Sequence, residues 1–248
     1  MLAEERQNRI LQLVENKLSV TLPELMNTFG ASESTIRRDL LQLHKEHKLV
    51  KVYGGATAIG QNYHGKDDDY ALRRDKNIEE KIRIAQYAAN LIEPEDFVFI
   101  DGGTTTSLLI DYIEEKKAVY LTNAPEHAKK LAMKGCGNSY ILGGRYKVVT
   151  EANVGAEAVL ALEKYNFTKG FFGTNGVTME HGFTTPEIEE SLVKKTAMSR
   201  TRQSYVLCDS SKFDQISPVC FGEFEKAHII TNKLDNIAYH DKKNITEV

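Results

Sequence analysis

The residues best suited to chemistry are Asp101-Gly102-Gly103-Thr104-Thr105-Thr106-Ser107, directly after the apolar run Phe97-Val98-Phe99-Ile100. The two glycines let the backbone come close to a ligand, and the threonines offer hydroxyls. A helix opening here would add free N–H groups and the positive end of its dipole. Together these features would cradle a phosphate. No Gly-Lys-Ser/Thr comes after it, so the stretch is not a Walker loop. Taken alone, it is explained equally well as a plain capped turn.

It does not stand alone. Five later apolar runs also end in small, polar residues: Thr122-Asn123, Gly143-Gly144-Arg145, Gly173-Thr174-Asn175-Gly176, Cys208-Asp209-Ser210-Ser211-Lys212 and Thr231-Asn232. Ligands of open α/β sheets sit at the carboxyl ends of the strands, so six such ends in succession describe a lined pocket. The candidate contacts are Asp101, Gly103, Thr104, Thr105, Thr106, Asn123, Gly144, Arg145, Thr174, Asn175, Gly176, Glu190 and Lys212. Arg145 and Lys212 are the cations for an anionic ligand, although Arg145 suits the surface equally well. Glu187, Glu189 and Glu190 are first explained as acids in the opening turn of a helix begun by Pro186, with Glu190 pairing Lys194 at i,i+4. His181 reads as part of a turn.

A second constellation lies near the N-terminus. Ser34, Arg37 and Arg38 share one face of a helix whose Ile36, Leu40 and Leu43 face a core. From Ser34 to Tyr53 five basic residues (Arg37, Arg38, Lys45, Lys48, Lys51) face two acids (Asp39, Glu46), whereas the first 33 residues have three basic residues and five acids. A basic strip of this kind makes phosphate contacts on nucleic acid even where the whole chain carries a net charge of −3. Asp39, beside two arginines, reads as positioning them rather than reading bases.

The elements that would carry these residues are legible. Glu4 to Asn16 is an amphipathic helix, and Leu18–Val20 is extended. Thr21-x-x-Glu24 is a capping box with Pro23 in the first turn, and Gly30 ends that helix. Ser32 caps the next. Two helices joined by a short glycine-containing turn form a helix-turn-helix, whose second helix enters the major groove. Lys48–Tyr53 and Ala56–Ile59 around Gly54-Gly55 give a hairpin, the wing. Thr21, Ser32, Ser34, Thr35, Arg37, Arg38, Lys48, Lys51 and Tyr53 are the expected DNA contacts. Residues 60–77 form a polar linker, with Asp67-Asp68-Asp69 a solvated acidic run and Tyr70–Arg74 a short helix. From 78 to 248, apolar strands alternate with amphipathic helices, so a mostly parallel sheet covered on both faces is expected.

Composition narrows the class. Three scattered cysteines suit neither a disulfide framework nor a CxxC metal site. No signal peptide pattern and no apolar run of about 18 residues occurs, so the expectation is a cytoplasmic protein away from membranes. No cofactor, metal or catalytic residue is implied.

The text SESTIRRDLLQL, continued by KLVKVYGGAT, resembles the DNA-binding domain of the DeoR family of bacterial transcriptional regulators. The recognition helix there reads S-x-x-T-I-R-R-D-L and the next basic strand ends in H-G-G-A, with Tyr53 standing where histidine is usual. The resemblance continues through DGGTTT, T-N, L-G-G, V-G-A-E-A, G-T-N-G-V, G-F-T-T-P, E-x-x-x-K-K-x-A-M and D-S-S-K-F, in that order. It implies a winged helix-turn-helix domain (1–59), a linker (60–77) and an effector domain (78–248) similar to the ribose-5-phosphate isomerase fold. It also implies an oligomeric repressor of a sugar catabolism operon, with operator DNA and a phosphorylated sugar as partners. The stretch F-T-T-P-E-I-E-E-S-L-V-K-K is similar to the fructose-operon repressors of the family, which implies fructose 1-phosphate. The isomerases carry aspartates in a D-G-A-D loop matching Phe172–Asn175 here, where both acids are absent. Removing a proton beside a carbonyl needs a base, so the pocket reads as kept for binding. The alternatives are an isomerase with an appended DNA-binding domain and an activator of the same family.

Overall fold

Thr21 sets the geometry of the N-terminal unit. Its hydroxyl accepts the Glu24 N–H at 3.3 Å, and the Glu24 carboxylate accepts the Thr21 N–H at 3.4 Å. This reciprocal cap starts the helix Leu22–Phe29, which ends at Gly30 with φ 58°, a conformation cheap only for glycine. The computed structural model describes residues 3–17, 19–46, 48–52, 55–58 and 70–248. Contacts divide the chain into two compact units, residues 1–65 and 66–248.

In the first unit the helices Ala3–Lys17, Leu22–Phe29 and Glu33–Lys45 pack around Ile10, Val14, Leu25, Ile36, Leu40 and Leu43, all nearly or fully buried. The strands Ser19–Thr21, Gly55–Ala58 and Leu49–Val52 form an antiparallel sheet with Gly55–Ala58 in the middle. Two features differ from expectation. Val52 pairs with Gly55, so Gly55 is a strand residue and not part of the turn. Its glycine identity has another cause: a Cβ there would lie 2.0 Å from the Val20 carbonyl oxygen of the neighbouring strand. Asp39 does not position Arg37 and Arg38. It is buried and accepts hydrogen bonds from Arg6 Nε (2.6 Å) and Gln7 Nε2 (3.1 Å), fastening the recognition helix to the first helix. The Arg6 guanidinium is raised by that bond, against the opposing effect of burial.

The second unit is built on a seven-stranded sheet in the order Ile245–Glu247, His228–Thr231, Thr201–Leu207, Phe167–Gly173, Phe97–Ile100, Val119–Thr122, Ser139–Ile141. Every neighbouring pair is parallel. All carboxyl ends therefore fall on one edge. Two apolar clusters pack on the sheet, one around Phe99, Phe172, Val193 and Val206, the other around Ile84, Val98, Ile100 and Phe171. No described helix is long and apolar enough to cross a membrane.

The strand Phe167–Gly173 is longer than its apolar text suggests because it carries a buried Lys169. That ammonium pairs with Asp96 (2.8 Å) and Glu93 (2.8 Å) and donates to the Leu91 carbonyl (2.6 Å). Arg145–Lys147 and Ala152–Val154 form a hairpin, and the helix that follows, Ala156–Leu162, begins two residues after it. Pro186 precedes the cap residue Glu187 of the helix Ile188–Ser199 and so lies outside its first turn. A small antiparallel sheet of Gly176–Thr178, Gly182–Thr185 and Val219–Gly222 was hidden in text that reads as loops. The helix Tyr70–Arg74, read as linker, belongs to this unit: its Tyr70 N–H donates to the Val149 carbonyl at 3.1 Å. Asp67-Asp68-Asp69 lies outside the described residues.

Candidate functional site

The recognition helix Glu33–Lys45 starts at Ser32, whose hydroxyl accepts the Thr35 N–H at 3.4 Å. Ser34 Oγ lies 3.1 Å and Thr35 Oγ1 2.9 Å from the same hydroxyl, so three hydroxyls gather at the helix start. Arg37 is exposed and pairs with Glu33 at 2.7 Å, one turn earlier. Exposed pairs of this kind contribute about 0.3–0.5 kcal/mol and exchange readily for a phosphate partner. Arg38 is exposed and makes no hydrogen bond or ion pair among the described residues. On the wing side, Lys48 pairs with Glu46 at 2.9 Å, and the Lys51 N–H donates to His44 Nδ1 at 3.4 Å. Thr21 is engaged in its own cap, one helix earlier than the recognition helix. Tyr53 lies outside the described residues.

In the second unit a cavity opens at the carboxyl edge of the sheet. Seven of the expected contacts line it: Gly103, Thr104, Thr105, Thr174, Asn175, Glu190 and Lys212. Thr104 and Thr105 open the helix Thr104–Tyr112, which places unpaired helix N–H groups at the wall. Asp101 is fully buried, accepts the Gly173 N–H at 3.0 Å and pairs with Lys194. Lys194 is itself buried, donates to the Gly173 carbonyl (3.1 Å) and lies 3.4 Å from Glu190. Burial alone would push this ammonium down; the attraction of Asp101 and Glu190 outweighs it and holds the ammonium above the ordinary lysine range.

The other candidates do not line the cavity, for visible reasons. Thr106 donates back to the Gly103 carbonyl at 3.0 Å, facing away from the opening. Asn123 is a brace: its side chain accepts the Gly102 N–H (2.8 Å) and donates to the Asn153 carbonyl (3.3 Å). Gly144 (φ 141°) and Gly176 serve backbone packing, since a Cβ would meet the Val154 carbonyl at 2.7 Å and the Gln215 carbonyl at 2.3 Å respectively. Arg145 pairs with Glu189 on the surface. Asp101 acts from beneath the wall, through Lys194 and Gly173.

Four lining cations were not among the expected contacts: Arg73, Lys76, Lys81 and Lys194. Lys194 was visible only as a helix pair with Glu190. The other three precede the first strand of the sheet, so the residues at strand ends give no hint of them. Lys81 is buried and its ammonium is pushed down to about 8, first by burial and then by Lys212, Arg73 and Lys76, against the attraction of Asp209. Arg73, Lys76, Lys81 and Lys212 thus share one cavity wall, and their charge suits an anionic ligand.

A winged helix-turn-helix unit followed by a parallel-sheet unit with a cation-lined cavity is the architecture of a DNA-binding regulator with a sensor domain. Residues 6–62 match the DeoR-like helix-turn-helix domain and residues 76–233 the DeoR C terminal sensor domain. The chain is 38% identical over 249 residues to the "Uncharacterized HTH-type transcriptional regulator FruR" of Bacillus subtilis (strain 168), covering all of this chain and 98% of that one. It is 34% identical to the regulator IolR of the same organism, over 90% of this chain and 89% of that one. The lactose phosphotransferase system repressor of Streptococcus mutans is 30% identical over 100% of this chain and 99% of its own length. Ribose 5-phosphate isomerase A of Methanocaldococcus jannaschii is similar over 56% of this chain and 55% of its own, at 16% identity and a TM-score of 0.41, a level that carries no argument about activity. The chain belongs to the DeoR family of transcriptional regulators.

Proposed function

We propose that this protein represses a sugar catabolism operon and is controlled by a phosphorylated sugar bound at the carboxyl edge of the sheet, with fructose 1-phosphate the first candidate. The observation that carries this reading is the cavity wall, where a helix start at Thr104–Thr105 meets Arg73, Lys76, Lys81 and Lys212. A phosphate fits that end. Thr174, Asn175 and Glu190 offer hydroxyl, amide and carboxylate partners to sugar hydroxyls at the other. Glu190 beside Lys194 serves as a charge partner, and the binding role needs no proton transfer.

On the DNA side, Arg38 and Arg37 read bases or clamp phosphates, Ser34 and Thr35 assist, and Lys48 and Lys51 hold the backbone beside the helix. A homodimer or higher homo-oligomer places recognition helices in major grooves about 34 Å apart or a multiple of it. Switching such a protein fully between two states takes roughly 5.5 kcal/mol of differential ligand binding. A thermal-shift screen of phosphorylated and unphosphorylated sugars tests the reading. Stabilisation by one or more phosphorylated sugars, and by none of their unphosphorylated counterparts, is the expected result. A screen without a phosphate-dependent hit would refute it.

A further inference from the structure

Two cations of the cavity wall come from an unexpected place. Arg73 and Lys76 belong to the helix Tyr70–Arg74 and the bend behind it. This is the first described segment after residues 59–69, which connect it along the chain to the wing strand Gly55–Ala58. On its other side the segment is bonded into the wall. Lys81 Nζ donates to the Arg73 carbonyl. Asn77, with φ 53°, donates its amide to Asp209 Oδ1 at 2.8 Å and to Ser211 Oγ at 3.2 Å. Asp209 and Lys212, after the strand Thr201–Leu207, line the same cavity.

We propose that segment 70–77 is the sensing element: Arg73 and Lys76 clamp the anionic group of the effector against the helix start at Thr104–Thr105, and occupancy is passed along the chain to the DNA-binding unit. This rests on reading the cavity as a sugar-phosphate site. The physical cause is charge. Arg73, Lys76, Lys81 and Lys212 repel one another, and this repulsion adds to burial in making Lys81 yield its proton more easily. A dianionic phosphate turns the repulsion into attraction and draws the segment onto the wall. The sugar moiety, facing Thr174, Asn175 and Glu190, touches residues far along the chain from the DNA-binding unit. The phosphate therefore carries the signal, and an unphosphorylated sugar that binds leaves the regulator unswitched.

Hydrogen–deuterium exchange on the full chain tests this, with fructose 1-phosphate, inorganic phosphate and fructose as probes. Either phosphate compound is expected to slow exchange at both 70–77 and 102–106, and fructose at neither. Arg73→Ala/Lys76→Ala should abolish the protection at 70–77 and weaken binding about tenfold or more, while Arg73→Lys retains the protection. Phosphate-dependent protection of 102–106 alone would overturn the inference and leave the cavity reading standing. Protection of neither segment by either phosphate compound overturns both. A Gly-Ser-Gly-Ser insertion between Gly65 and Lys66 should keep the protection and lose the effect on operator binding. An insertion variant that responds on DNA like the parent would overturn transmission along the chain.

Discussion

Arg38 stands exposed on the recognition helix with no partner among the described residues, whereas Lys194 lies buried in the cavity wall between Asp101 and Glu190. The first cation is kept in water, where it costs the fold nothing and, in the function proposed above, binds by displacing counterions from DNA. The second is removed from water and is tolerable only because two carboxylates surround it. The difference teaches where each unit is vulnerable. Charge changes on the recognition face are therefore expected to alter binding and leave the fold alone. Charge changes under the cavity alter the fold first.

The largest expected effect is therefore in the sensor unit. Asp101→Ala leaves Lys194 buried beside Glu190 alone and strips the Gly173 N–H of its acceptor; a loss of about 3–5 kcal/mol is expected, read as a lower urea midpoint. An unchanged midpoint would show that the buried pair is not structural. Next is Arg38→Ala, expected to weaken operator binding by about 1–3 kcal/mol with no change in melting temperature, measured by gel shift at fixed salt. Ser32→Ala should cost about 1 kcal/mol in the N-terminal unit, because the Thr35 N–H loses its cap. Arg37→Ala removes only an exposed helix pair, so stability should fall by less than about 0.5 kcal/mol.

The pH dependence separates the two kinds of cation again. Lys81 is pushed down to about 8 from an ordinary 10.5. The fold disfavours its charged form, so this residue's contribution to stability improves as pH rises from about 8 towards 10.5. An anion over Lys81 has the opposite preference and favours the ammonium. Effector affinity should therefore hold near neutral pH and decline above about 8. Calorimetry at pH 7 and pH 9 should show that decline with net proton uptake at the higher pH, and Lys81→Met should lose both. Equal affinities at the two pH values would place the anion elsewhere.

Local signals carried the N-terminal unit. The cap at Thr21, the left-handed Gly30 and the Ser32 cap each act within a few residues, and all are present in the fold. The features that sequence reading missed there involve distance. Asp39 is held by Arg6, 33 positions away, and Gly55 is required by Val20 on another strand. The sensor unit shows the same division. Strand ends rich in glycine and threonine pointed to Thr104, Thr105, Thr174, Asn175 and Lys212. Lys169, a charged residue inside a central strand, obscured that strand's length, and Arg73, Lys76 and Lys81 reach the cavity from ahead of the sheet. Periodicity reports which face of an element is buried, and it is silent on which distant segment covers it.

The central claim is that a phosphorylated sugar bound at the Thr104–Thr105 helix start changes operator affinity. The most direct measurement is operator binding by fluorescence anisotropy for the parent, Thr105→Ala and Lys212→Ala proteins, each titrated with the phosphorylated sugar identified by thermal shift. The account predicts equal operator affinity for all three without the sugar, and a response shifted to higher sugar concentration in both variants. Parent-like titrations in both variants would contradict it.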